Sequence, residues 1–406
     1  MNLRCLHSVA WVVALGVLLV AKPVAAGTLK TVASQPSWIL ANANVEVALT
    51  RMGGHMAPVR FYRDTAKPVQ PYHVSPWQGE KRELPVPVLA PLRGDFFCLP
   101  FGGNDAAVGG EKHPPHGETA GSPWRFVSQV RRGPVVTLAT VIETKARPGR
   151  VTKELSLVDG ENVVYSRHLI EGFEGPAPLG HHATLAMPEA EGVFRISASP
   201  LRFGMVAPAL FSDPAKGEYQ ALEVGARFTD LRKVPMAWKG APDTDLGSLP
   251  ARKGHADLVL LVNEPGERAW VTATRRDEGW VWFALKDPAV LSGTLLWIEN
   301  HGRHGAPWLG RNHCVGIEDI TGHWADGLAA SIRPNALTRE GVRTAIELSK
   351  DRPTAVHYIQ GVVRVPKGFE EVRDIEFGPG TATLVSTTGH RVTAAVRHEF
   401  LRTGRL

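Results

Sequence analysis

The stretch PVVTLATVIETKARPGRVTKELSLVDGENVVYSRHLI, residues 134–170, decides the fold. It holds three runs, Pro134–Glu143, Val151–Val158 and Val163–Ile170, rich in Val, Thr, Leu and Ile. The breaks between them are short and contain Pro148-Gly149 and Asp159-Gly160. Runs of this length and composition suit strands, and such brief breaks suit antiparallel hairpins, because a parallel crossover needs a dozen or more residues. The same grammar continues downstream in His182–Met187, Asp257–Val262, Trp270–Thr274, Trp280–Leu285, Thr294–Glu299, Arg343–Leu348 and Ala355–Val365. Thr381–Thr387 and Arg391–Phe400, joined by Thr388-Gly389-His390, read as a terminal hairpin. Helical periodicity is confined to short turns expected near Gly322–Ser331 and Lys367–Arg373. With 41 glycines and 31 prolines supplying turns, and no β-α alternation, the chain reads as all-β, a large antiparallel β-sandwich. Asp64–Pro91 and Gly240–Lys253 read as surface loops within a single domain, residues 27–406, because strands of one character resume on each side.

Residues 1–26 are expected to be a cleaved signal peptide. Arg4 gives a positive start, Val9–Val20 is an apolar stretch, and Val24-Ala25-Ala26 ends in small residues. That stretch is too short for a comfortable membrane span. The reading implies an exported protein, periplasmic or extracellular, with no stable membrane insertion after cleavage. Two cysteines then remain, Cys98 and Cys314, which either pair or stay as small buried thiols. The formal charge of +6 is scattered, with no basic run interleaved with aromatics, so nucleic acid is not an expected partner.

Two segments depart from plain strand-and-turn sequence. One runs from LRGDFFCLPFGGN (Leu92–Asn104) to HPPHGETAGSPW (His113–Trp124); the other is RNHCVGIEDITG (Arg311–Gly322). Together they offer histidines, a carboxylate and aromatics, a kit for proton transfer on a polar ring such as a sugar. His116 is presented by a loop stiffened by Pro114 and Pro115. His113, His116 and Glu118 have a spacing that chelates metals on helices, but consecutive prolines exclude a helix interior, so no metal is expected there. His181 and His182 open a strand, where alternation lets only one of them face a given pocket. Glu318, at the end of an apolar run, suits a partly buried acid or base; the plainer reading is a loop-initiating acidic residue, for which Asp319 is equally suitable. Trp124, Trp308 and Trp324 are available to stack on a sugar face; Trp280 and Trp282 read as packing. Arg51 and Arg93 are candidate hydroxyl-binding arginines.

An HG loop a quarter of the way along, a mid-chain strand histidine and a late G-I-E glutamate occur in that order. The order resembles the galactose mutarotase-like superfamily, which includes aldose 1-epimerases. The resemblance implies a supersandwich covering nearly the whole mature chain, a mono- or oligosaccharide partner and no cofactor. It implies that His182, or His181 in its place, protonates the ring oxygen and that Glu318 deprotonates the anomeric hydroxyl. It also implies that His116 holds substrate, with Arg93 as a further contact; Trp124 and the other of the two adjacent histidines are added as substrate-binding candidates, and the family's substrate aspartate is left unplaced, Asp230 being a guess for it. The chain departs from the family pattern around the acid, which reads GHHATLAMP, and after the base, where Asp319 stands in place of proline. Those departures keep open a non-catalytic carbohydrate-binding module and, further off, a domain associated with polysaccharide lyases or hydrolases.

Overall fold

Alternation along each strand determines which face every side chain joins, and two large sheets use that alternation to share one core. The structure is a computed structural model that describes residues 27–406, so the expected signal segment lies outside the described residues. One sheet has nine strands in the order 248–249, 194–198, 269–275, 280–286, 354–364, 163–171, 149–158, 135–144 and 125–132. The other has eight: 227–228, 201–206, 255–263, 293–300, 313–321, 179–181 and 97–98 in order, with 183–186 also pairing 313–321. All pairings within both are antiparallel. The sequence expectation of a large antiparallel sandwich matches this architecture.

Between the sheets, Val259, Leu261, Leu296, Ile298, Val315 and Ile317 meet Leu155, Val164, Val271, Trp282 and Val356 in one core. Trp282 is fully buried there; truncating such an indole to Ala costs about 3–5 kcal/mol. A polar tie also crosses the layers. Asp319 of the eight-stranded sheet pairs with Lys286 Nζ at 2.6 Å and accepts from the Tyr358 hydroxyl at 2.7 Å, and both partners lie in the nine-stranded sheet. Deleting one member of so buried a pair strands a charge and costs about 3–5 kcal/mol.

Each outer face is covered differently. A three-stranded sheet (372–378, 381–386 and 391–395) and the helix Phe400–Thr403 seal the nine-stranded sheet around Phe283, Leu285 and Ile359. The outer face of the eight-stranded sheet, with Leu258, Leu260, Leu295 and Trp297, receives loop residues Val88, Leu92, Phe96 and Phe101 instead. Loops leave gaps where a sheet would not, and the candidate site lies on this face. A four-stranded sheet (30–32, 35–41, 46–50 and 56–60) adds the N-terminal part.

Local differences from the sequence expectation concern ends. Leu328–Ile332 forms the helix expected near 322–331, but 367–373 does not form one; a strand begins at Val372. The last expected strand stops at Ala395, and Phe400 opens a helical turn closed by Gly404 at φ 63°. Among the described residues no helix is long and apolar enough to cross a membrane.

Candidate functional site

Two short strands, Leu179–His181 and Ala183–Ala186, pair with the same partner, His313–Thr321. Gly180 stands opposite Ile320 and Ala183 opposite Ile317, so the register sets position 182 opposite Glu318. His182 lies at the break between the two strands, its N–H donating to the Phe96 carbonyl at 2.9 Å. Side chains directly opposite one another share a face, and His182 Nε2 comes 3.2 Å from Glu318 Oε1. Alternation sends His181 through the other face. Its Nδ1 meets Asp95 Oδ2 at 2.8 Å and its ring stacks on Tyr358 at 4.1 Å. The adjacent histidines thus divide, with His182 in the cleft and His181 between the sheets.

Aromatic rings confine the pair. Phe96 stacks on His182 at 4.4 Å, while Trp297 and His116 stand edge-on to it at 5.9 and 5.0 Å. The cleft they line, with Leu258, Phe211 and Arg303, holds about 160 Å³. An enclosed cavity of about 150 Å³ admits a benzene ring, so this space suits one six-membered ring. A cavity of about 370 Å³ lies behind the same strands, lined by Asp257 and Ile298; paired proton-transfer groups, rather than size, distinguish the cleft. Gly316 makes room for the carboxylate, since a Cβ there would lie 2.5 Å from Glu318 Oε1.

Burial acts on the two groups in opposite directions. It raises the Glu318 carboxyl well above the carboxylate range and lowers His182 well below the usual imidazole range, with His116 and His55 adding repulsion to the latter. Desolvation penalises whichever form is charged, so burial favours a neutral carboxylic acid beside a neutral imidazole. The other imidazole nitrogen, Nδ1, is hydrogen-bonded to Thr184 Oγ1 at 3.2 Å. The two groups stand 3.2 Å apart, and moving the proton of Glu318 to His182 would convert the pair into imidazolium and carboxylate.

His116 also reaches the cleft. It sits at φ 60°, with its N–H donating to the Gly102 carbonyl at 2.7 Å and its Nδ1 3.5 Å from Cys98 Sγ. Burial lowers its pKa to about 4, which keeps it neutral near pH 7. Gly117 is required behind it: φ is 76° and a Cβ would meet the Leu99 carbonyl oxygen at 2.0 Å. The neighbouring groups turn away. His113 Nε2 is 3.0 Å from Glu111 Oε2, and the Glu118 carboxylate accepts from the N–H groups of Lys145 and Ala146.

Other sequence candidates lie elsewhere. Arg93 is buried outside the cleft, its guanidinium donating to the carbonyls of Pro91, Val32 and Ala33 and to Gln78. Trp124 is buried with Nε1 donating to Thr119 O at 2.9 Å, and Trp324 is likewise a core residue. Asp230 bonds its own turn through Arg232 N. Cys98 and Cys314 are both buried and unpaired. In their place the structure brings in Phe96, Phe211, Trp297 and Arg303. Arg303, the one permanent cation lining the cleft among the described residues, lies 4.7 Å over Phe211 and 5.1 Å over Trp308. The Trp297 Nε1 donor is buried without a partner.

No family model and no curated protein matches the chain. Solved structures do. A putative aldose 1-epimerase from Escherichia coli K12 is similar over 81% of this chain and 99% of its own, at TM-score 0.51 and 14% identity. A galactose mutarotase-like protein from Clostridium acetobutylicum is similar over 83% and 98%, at TM-score 0.54 and 10% identity. A galactose mutarotase related enzyme from Lactobacillus acidophilus covers 81% and 98%, at TM-score 0.51 and 12% identity. At these identities the likeness establishes a shared fold.

Proposed function

We propose that this chain, which has the galactose mutarotase-like fold, binds one sugar ring in the cleft and interconverts its anomers through His182 and Glu318. The observation that carries the reading is the buried pair itself, 3.2 Å apart in a ring-sized cleft. In the imidazolium–carboxylate form, Glu318 takes the proton of the anomeric hydroxyl while His182 gives one to the ring oxygen. The C1–O5 bond breaks, leaving an open-chain aldehyde and the neutral pair. Rotation about C1–C2 and the reverse transfers close either anomer, so no proton is gained or lost overall. His116 and the free Trp297 N–H serve as contacts for hydroxyls, and the apolar walls exclude water. Export through residues 1–26 belongs to the same proposal and would give the protein an extracytoplasmic sugar.

One observation favours a second reading, binding without turnover. His182 and Glu318 stand only 3.2 Å apart, so a sugar must part them to insert its hydroxyl. Anomer exchange of free hexoses, followed by saturation-transfer NMR alongside calorimetric binding, separates the two. Acid–base groups of this kind contribute about 10²–10⁴-fold each; Glu318→Gln should lose exchange by that order while retaining sugar binding. Binding with no exchange in the wild type leaves the module, and no saccharide binding across a broad panel removes both readings.

A further inference from the structure

At the end of the strand that starts at His313, three groups converge that the cleft does not use. His313 opens the strand 313–321 and pairs with Asn300; His301 follows that residue directly. Glu189 lies just past Ala183–Ala186, whose continuation at Met187 donates to the His313 carbonyl. Three adjacent strand ends therefore each supply one group. An imidazole nitrogen from each histidine and a Glu189 oxygen all lie within 4.8 Å of one another.

The hydrogen bonds leave ligand atoms bare. His301 Nδ1 donates to the Gly310 carbonyl at 2.9 Å, which leaves Nε2 free of that contact. A backbone carbonyl on the distal nitrogen is the usual orienting contact of a metal-bound histidine. His301 is held at φ 61° and its ring stacks on His313 at 4.6 Å. His313 Nδ1 points to Glu189 Oε1 at 3.6 Å, while its Nε2 is buried with no partner. Glu189 is 89% exposed at its side chain, so a carboxylate free to swing closes the set and leaves a further position to water.

We propose that Glu189, His301 and His313 form a transition-metal site of two imidazoles and one carboxylate, suited to zinc and to the nickel or copper ions that share its ligand preference. The site lies at the neck of the 301–312 loop, which carries Arg303 to the cleft. A bound ion would tie that neck to the 187–190 turn and hold the loop in place. This differs from the His113/His116/Glu118 spacing, whose side chains diverge.

The test uses the protein purified without a polyhistidine tag and stripped with chelator, then titrated with zinc chloride by calorimetry and by competition with a chromophoric chelator. The expected result is one zinc per chain in the wild type, with most of the affinity lost in Glu189→Ala and in His301→Ala. The exposed Glu189 guards against a misfolding artefact, because its truncation disturbs no core. Hydrogen exchange of the 301–312 amides should slow with zinc in the wild type and remain unchanged in Glu189→Ala. Absence of saturable binding, or equal binding by all three proteins, overturns the site; site-dependent binding with unaltered loop exchange overturns the clasp. Neither readout involves sugar, so the result stands apart from the epimerase reading.

Discussion

Glu318 and Asp319, neighbours in one strand, serve opposite faces of the sheet. Glu318 turns outward to His182 at 3.2 Å, whereas Asp319 turns inward to Lys286 at 2.6 Å and Tyr358 at 2.7 Å. The outer carboxyl has one partner that also titrates and can exchange a proton with it. The inner one is locked between an ammonium and a phenol that join the two sheets. Strand alternation thus separates a reactive carboxyl from a structural one with no intervening residue.

That separation predicts a pH signature for Glu318. A carboxyl raised by folding contributes stability that is present below its unfolded value of 4.5 and is lost as pH rises toward the folded value. A lowered imidazole does the reverse: its contribution is present above 6.5 and is lost as pH falls. Between pH 4.5 and 6.5 the unfolded pair holds one proton, on His182, and the folded pair holds one, on Glu318. The two contributions cancel there, and stability from the pair declines on either side. Glu318→Gln removes the carboxyl alone. Wild-type stability minus that of the variant should therefore fall by about 1.4 kcal/mol per pH unit above pH 4.5, measured by urea unfolding. Comparing the two proteins cancels the other buried histidines. A difference that stays constant with pH would place the proton on His182.

Thr184 is a positioning residue for His182. Its hydroxyl is hydrogen-bonded to Nδ1 at 3.2 Å, the side of the ring away from Nε2, which faces Glu318. Thr184→Val keeps the shape but leaves a buried imidazole nitrogen unpaired, at a cost of about 1–3 kcal/mol. The tautomer preference should weaken, read as a change in the two ¹⁵N shifts of His182, and anomer exchange should fall more than sugar affinity. Thr184→Ser restores the hydroxyl and should rescue both. Unchanged shifts in the valine variant would remove the positioning role.

Arg93 is predicted to matter for stability alone. Its fully buried guanidinium gathers three backbone carbonyls and Gln78, tying the turn at Val32–Ala33 to the loop at Pro91. Arg93→Met strands those acceptors, and each buried acceptor left unpaired costs about 1–3 kcal/mol. Thermal denaturation should show a large fall in Tm, while sugar affinity per folded molecule should hold. A selective loss of affinity would return Arg93 to the site.

These residues also mark how far the sequence was legible. The strands were readable because alternation is local: 151–158 and 163–170 each show an inner and an outer set. His116 and Glu318 stood out because glycines and unusual composition surround them. The choice between His181 and His182 depended on a register set by the break at 182, a long-range fact. Arg93 misled because a lone arginine in LRGD has the same local signature whether it meets ligand or carbonyls. Arg303 was missed because the fold of the 301–312 loop, not any motif, brings it to the cleft. Trp297 was missed because GTLLWIEN is apolar on both faces, and nothing local separates a cleft wall from core.

Trp297 supplies the last prediction. Its Nε1 is a buried donor without a partner in a residue that lines the cleft. An unpaired buried donor costs the protein about 1–3 kcal/mol, and a sugar hydroxyl accepting from it would recover part of that on binding. Trp297→Phe keeps most of the aromatic wall beside His182 and removes the donor. The variant should be as stable as the wild type or more so, yet bind sugar more weakly by about 0.5–1.5 kcal/mol, the usual net worth of one hydrogen bond. Urea unfolding and calorimetry on the same samples test both signs. Weaker binding together with a large loss of stability would point instead to collapse of the cleft wall, and equal affinity would show that the indole N–H does not meet the sugar.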